Sequence, residues 1–224
     1  MSSGIATSRR FRIIPASYSL QASTMHFAKL SLLMTSAAVL TGCLVPEKFT
    51  AEADFKPDGS YLYKFDGTAV HAMVVMAQKK APLADKDRAE LKKQVDVMAR
   101  QPGVKKFKPI SDARYELSTE EVLPPEPRGM KGKTTDVFVI NNREFKTSRI
   151  LTVTGPVFGP KDEQGFKDLG INLDGKIAVT LPKGTKVLEH NASGTPGMFN
   201  KSYTWTVTST SDKPMIKFQL PSGS

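Results

Sequence analysis

"FTAEADFKPDGSYLYKF", Phe49 to Phe65, is the stretch on which the fold turns. Phe49, Ala51, Ala53 and Phe55 alternate with Thr50, Glu52 and Asp54, which is the period of a strand with one face buried. Pro57-Asp58-Gly59 supplies turn chemistry, and Tyr61, Tyr63 and Phe65 resume the alternation beyond it. The segment reads as an antiparallel hairpin with an aromatic face, so the chain is expected to build on a sheet.

Downstream, the pattern changes from period two to helical. AVHAMVVMAQKK, from Ala69, is apolar nearly all round and closes on cations, as a helix dipole prefers. With Asp66 or Thr68 as N-cap it is expected to form a buried helix of about three turns. After Pro82, Asp85 is placed to cap a second helix carrying Leu91, Val95 and Met98 at i, i+4 and i+7, which Pro102-Gly103 ends. Val104–Ile110 and Arg114–Leu123 read as a second hairpin. PPEPRGMKGK, 124–133, reads as an internal linker. Beyond it lie VFVI at Val137–Ile140, an Asn141-Asn142 turn signal, a strand from Phe145 to Thr154, and a long Gly-rich loop from Gly155 to Gly170. Late strands follow at Lys176–Leu181, Lys186–His190, Tyr203–Thr208 and Met215–Leu220. Strands, two helices, then strands argue for a single α+β domain over 49–220, with an antiparallel sheet and both helices on one face, and a tail at 221–224.

Upstream, MHFAKLSLLMTSAAVLTG from Met25 has a cation at Lys29 and an apolar run from Leu30 to Leu40, the layout of a secretory signal over 25–42. That run spans 11 residues, whereas a bilayer-crossing helix takes about 20. Leu40-Thr41-Gly42-Cys43 resembles the lipobox of bacterial lipoproteins, in which a branched and two small residues lead into a cysteine that is acylated and becomes residue one. Cys43 is the only cysteine. Several acyl chains on one residue anchor stably where a single chain is marginal, so Cys43 is expected to hold the protein to the membrane, with 43–48 as a short tether. Residues 1–24 fit poorly before such a signal, because Arg9, Arg10 and Arg12 are parted from the apolar run by SYSLQAST, and Met25 is the expected start. Leu44 and Val45, rather than Asp, follow the cysteine. That resembles the sorting pattern for the periplasmic face of an outer membrane.

Of a net charge of +10, the leader cations Arg9, Arg10, Arg12 and Lys29 account for four, leaving +6 on the mature chain. An exported, tethered protein meets anionic headgroups rather than nucleic acid, so no nucleic-acid partner is expected. Lys105, Lys106 and Lys108, which surround Phe107, are candidate headgroup contacts. They serve equally as a charged sheet edge that discourages strand pairing.

Catalysis requires a nucleophile, a base and an orienting group, or a metal cluster. The mature chain has two histidines: His71, inside the apolar run, reads as a packed core residue, and His190 as a strand-end residue. No zinc, serine-hydrolase or paired-cysteine motif is present. Two glycine stretches mimic a phosphate loop. One, from Gly170 to Lys176, has Ile177 where a hydroxyl is required; the other, ending Gly132-Lys133-Thr134, has Pro127 in place of the first glycine. The chain is therefore expected to be no enzyme and to need no cofactor or metal.

"GKIAVTLPKGTKVLEHNASGTPGMFNKSYTWTVTSTSDKPMIKF", 175–218, has a strand ending in Leu181-Pro182, another leading to Asn191-Ala192, a glycine-containing loop, then Tyr203-Thr204-Trp205. With the hairpin around Asp58-Gly59-Ser60 just after the cysteine, this resembles the domain of LppM-type bacterial lipoproteins over most of Phe49–Leu220. The resemblance implies an α/β lipoprotein domain on the cell envelope with lipid or glycolipid binding, and it supplies no catalytic residue. Family members often end in a transmembrane helix; Gln219–Ser224 offers none, leaving Cys43 as the expected anchor. A pocket for a hydrophobic ligand is expected between Ala72, Met73 and Met76 of the first helix and Tyr203 and Trp205 of the late strand. The competing expectation is a structural or assembly subunit of an envelope complex, meeting a protein partner through the loops 124–133 and 155–170.

Overall fold

The Phe49–Phe65 hairpin forms, and both strands run further than the alternation suggested: β1 is Leu44–Phe55 and β2 is Tyr61–His71. The computed structural model describes residues 44–125, 131–134, 137–145, 148–155 and 160–221, within one compact unit, Val39–Ser224. The turn closes as the sequence dictates. Asp58 accepts hydrogen bonds from the Ser60 amide at 2.9 Å and the Ser60 hydroxyl at 2.7 Å, and the hydroxyl foremost holds its carboxyl below the usual carboxylate range. Phe55 pairs with Tyr61, and the ladder continues to Phe49 opposite Gly67.

There the register shifts, between Pro46 and Phe49. One extra residue in β1 reverses its side-chain parity, so Leu44 and Pro46 fall on the same face as Phe49 and Ala51, while Val45 joins Val70 on the other. The stretch expected as a tether, Leu44–Lys48, is thus paired strand. The alternation had hidden this, because the bulge breaks the odd-numbered pattern. By the same continuation Ala69–His71 belong to β2, and the first helix, α1, is only Ala72–Lys80.

The second helix, α2 (Asp85–Met98), and the second hairpin, β3 (Val104–Ser111) with β4 (Arg114–Leu123), stand where expected. Then come β5 (Lys131–Thr134), β6 (Val139–Phe145) and β7 (Ser148–Thr154). Asn141-Asn142 is no turn: both residues lie inside β6 and Asn142 is buried. The segment expected as a glycine loop holds a third helix, α3 (Pro160–Leu169). It stops at Gly170, whose φ is +67°, as the Gly170 amide donates to the Lys167 carbonyl and the Ile171 amide to Phe166. That is a Schellman close, reinforced by Phe166 packing beside Ile171 in one apolar cluster. The last strands are β8 (Asp174–Thr180), β9 (Lys186–His190), β10 (Ser202–Val207) and β11 (Met215–Gln219).

These strands make two sheets, not one. The first, six strands in the order β10-β8-β1-β2-β4-β3, is antiparallel except where β1 pairs β8 in parallel; the second is β5-β6-β7-β11-β9. The expected wholly antiparallel single sheet is corrected accordingly. The inner face of the first sheet packs on the second: Phe55 meets Phe218 edge-on at 5.2 Å between ring centroids, and Tyr63 meets Phe138 at 5.8 Å. Phe55, Tyr61 and Phe65 are each essentially fully buried, and each such side chain contributes roughly 1.5–3 kcal/mol of burial. A separate cluster of Val70, Val74, Val75, Ala113 and Ile171 fills the other face under α1 and α3, while Val95 and Met98 of α2 pack against the main core. Leu91 of α2 also packs on the α1–α3 cluster, so α2 spans both clusters rather than sharing a single face with α1 alone. Among the described residues, both clusters lie within the compact unit.

Candidate functional site

The geometry of interest lies at the end of the first sheet where β1 begins. Leu44, the residue after Cys43, pairs with His71, and His71 is the N-cap of α1. Leu44, the first residue of β1, therefore lies beside the start of α1. Glu47, in the bulge, accepts from Arg114 Nε at 3.1 Å and from its terminal nitrogen at 3.2 Å, which fixes the start of β1 to β4.

His71 is buried, and its Nδ1 accepts from the Val74 amide at 3.4 Å. Burial pushes the imidazole below its ordinary range, against a weaker backbone contribution in the other direction. Its role is a cap at a strand-to-helix junction, where the sequence suggested a residue within the helix. Asp112, in the β3–β4 turn, ties the two helices together, taking Gln78 of α1 at 3.4 Å and Arg88 of α2 at 3.2 Å.

Between α1 and α2 runs a groove of about 240 Å³, open on one side and lined by Met73, Val74, Ala77, Leu83 and Leu91, with Asp87, Glu90 and Gln94 as its polar rim. Val74 and Val75 face the core, which leaves Met73 53% and Met76 41% exposed. Ile110, also exposed, comes to the same end through the pairings Val45–Val70–Arg114–Ser111.

The pocket expected from sequence is not assembled. Trp205 is 6% exposed within the core between the sheets, with Tyr203 packed at its margin, whereas Ala72 belongs to the cluster on the opposite face and Met73 lines the helix groove. Trp205 instead donates from Nε1 to Asn191 Oδ1 at 2.8 Å. Between the sheets the space near Phe49, Ile177 and Val207 is only about 30 Å³, far less than the groove between the helices. Lys105, Lys106 and Lys108 lie on β3, the edge strand, and Lys106 pairs with Glu116. His190 sits at the end of β9 with its ring 4.9 Å from Tyr203. Among the described residues no three His, Cys, Asp or Glu side chains converge as a metal site, and no helix is long and apolar enough to cross a membrane. Leu40, Thr41, Gly42, Cys43 and most of the linker 126–130 lie outside the described residues. The groove itself was missed because its two walls come from separate helices. Its one signal was the exposed Met73 on a helix read as wholly buried.

No protein-family model and no curated protein matches the chain. Among solved structures, the fold is similar to the NMR structure of the folded domain of LppM from Mycobacterium tuberculosis, with 10% identity, 80% of this chain and 93% of that chain covered, and a TM-score of 0.33.

Proposed function

We propose that the chain is a bacterial envelope lipoprotein, held to the membrane through acylated Cys43, whose α+β domain binds a lipid or similar apolar ligand and performs no chemistry. The observation that carries the reading is the placement of the α1–α2 groove at the end of the sheet where Leu44 follows the lipobox cysteine. An acyl anchor there keeps the groove at the bilayer surface, where lipid is concentrated. Met73, Ala77, Leu83 and Leu91 suit an acyl chain laid along the helices, and the rim of Asp87, Glu90 and Gln94 accepts hydrogen bonds from a head bearing hydroxyl or amino donors. The volume is below the roughly 300–1,000 Å³ of enclosed ligand sites, so the ligand lies partly on the surface.

The test is native mass spectrometry of the domain from Leu44 onward, folded and exposed to its own membrane extract. Retained lipid that is lost on Ala77→Trp, which fills the groove from an exposed position, supports the reading. A ligand-free domain that instead holds one stable protein partner replaces it with the assembly-subunit reading.

A further inference from the structure

Far from the groove, two consecutive apolar side chains stand almost wholly in solvent: Met198 at 92% and Phe199 at 97% exposure. They are at the tip of a tied finger. Its base is closed by Thr204 and Gly194 exchanging backbone bonds at 2.9 and 3.2 Å and by the Ser193 amide donating to the Thr204 carbonyl. Its tip is set by Asn200, whose Nδ2 donates to the Ser202 carbonyl at 2.8 Å and whose Oδ1 accepts from the Ser202 amide, while the Gly197 amide donates to the Asn200 carbonyl at 2.7 Å.

The registers place this finger. Ser202 pairs with Thr180, and Thr180 with Asp54, ten residues along β1 from Leu44; at about 3.3 Å per residue the tip lies roughly 33 Å from the lipobox end. Lys201 adjoins Asn200 in the finger, and Lys183 stands three residues beyond Thr180, the partner of Ser202; both are exposed, and the neighbouring Asp54 is already paired with Lys56.

The geometry points to the Met198–Phe199 finger as a second membrane contact, inserting its two side chains below the headgroups of an anionic bilayer while the lysines meet the phosphates. A protein interface needs about 800 Å² on each partner, and the residues around the tip, Thr195, Pro196, Gly197, Asn200 and Lys201, add only the proline to its apolar surface. A bilayer accepts a narrow wedge without a complementary shape, and cations just behind an apolar tip fit its surface potential.

Vesicle sedimentation of the domain from Leu44 onward, which holds every described strand of both sheets, tests this apart from the acyl anchor. With vesicles of phosphatidylglycerol and phosphatidylcholine, the Met198→Ser, Phe199→Ser double variant is expected to lose partitioning by about tenfold or more. Lys183→Gln with Lys201→Gln is expected to remove the preference for the anionic lipid, and Val97→Ser, at an exposed apolar side chain of α2 that lines neither the groove nor the finger, to leave partitioning unchanged. Emission from Trp205 checks that each variant is folded. Equal partitioning of the parent domain and the double serine variant overturns the inference, and so does a single envelope protein that binds the parent finger in preference to vesicles.

Discussion

The ring of Phe49 occupies the space where a side chain on Gly175 would stand: a Cβ built on Gly175 would lie 2.2 Å from Phe49 Cζ. The two are cross-strand partners in the one parallel pairing of the first sheet, and Phe49 faces a second glycine, Gly67, on its other side. An aromatic ring thus covers a glycine at the seam where β8 joins the hairpin. Gly175→Ala is expected to destabilise by about 1–3 kcal/mol through overpacking, and Phe49→Ala by about 3–5 kcal/mol through the cavity it leaves. Gly175→Ala combined with Phe49→Leu is expected to cost less than the sum, because the smaller side chain makes room. Urea unfolding of the parent, Gly175→Ala, Phe49→Leu and their combination measures this, and simple additivity would refute the coupling.

Asn191 joins the two sheets. Its Oδ1 accepts both from Trp205 Nε1 and from the Met215 amide, each at 2.8 Å, and its Nδ2 donates to the Lys213 carbonyl at 2.7 Å. Asn191→Leu leaves Trp205 Nε1, the part-buried donor of the three, without this partner, which costs about 1–3 kcal/mol. The chain has one tryptophan, so its fluorescence reports this junction directly. The expected outcome is a lower unfolding midpoint and a red-shifted native emission; an unchanged spectrum and midpoint would show that the bridge is dispensable.

His71 makes stability depend on mildly acidic pH. Burial holds its folded-state pKa below the unfolded value near 6.5, so the unfolded chain binds a proton first as pH falls. The stability contributed by the neutral ring is complete above pH 6.5 and declines as pH drops toward the folded-state pKa. Protonation at Nδ1 also removes the acceptor for the Val74 amide. His71→Asn, a good capping residue that does not titrate, is expected to flatten this part of the stability profile measured by thermal melts from pH 7.5 to 5. A variant with the parent's slope would assign that slope to other groups.

The hairpins were readable because one buried face imposes strict alternation, as Tyr61, Tyr63 and Phe65 show. What alternation does not encode is which strand lies beside which, and so β8 alongside β1 and the split into two sheets were beyond it. A single inserted residue near Glu47 concealed the start of β1 by reversing parity. For α3 the signals were present, with Pro160 in the first turn, Asp162 and Glu163 after it, and Gly170 at the close; nearby glycines outweighed them. The pocket failed for a different reason. Trp205 and Met73 are both apolar and both near aromatic strands, but only the registers reveal that they serve different packing layers.

Anchoring at Cys43 gives the final prediction. Each buried methylene contributes about 0.8 kcal/mol, so two or more acyl chains hold a protein to a bilayer where one does not. The wild-type chain is expected in the membrane fraction, with an intact mass that begins at residue 43 and includes the acyl groups. Cys43→Ser removes the thiol that acylation requires and changes a single atom of the side chain. That variant is expected to keep a cooperative unfolding transition while losing the acyl mass and the processing that follows acylation. The wild-type protein recovered from its own cell with a free Cys43 thiol would remove the anchor, and with it the reason for placing the α1–α2 groove at a bilayer.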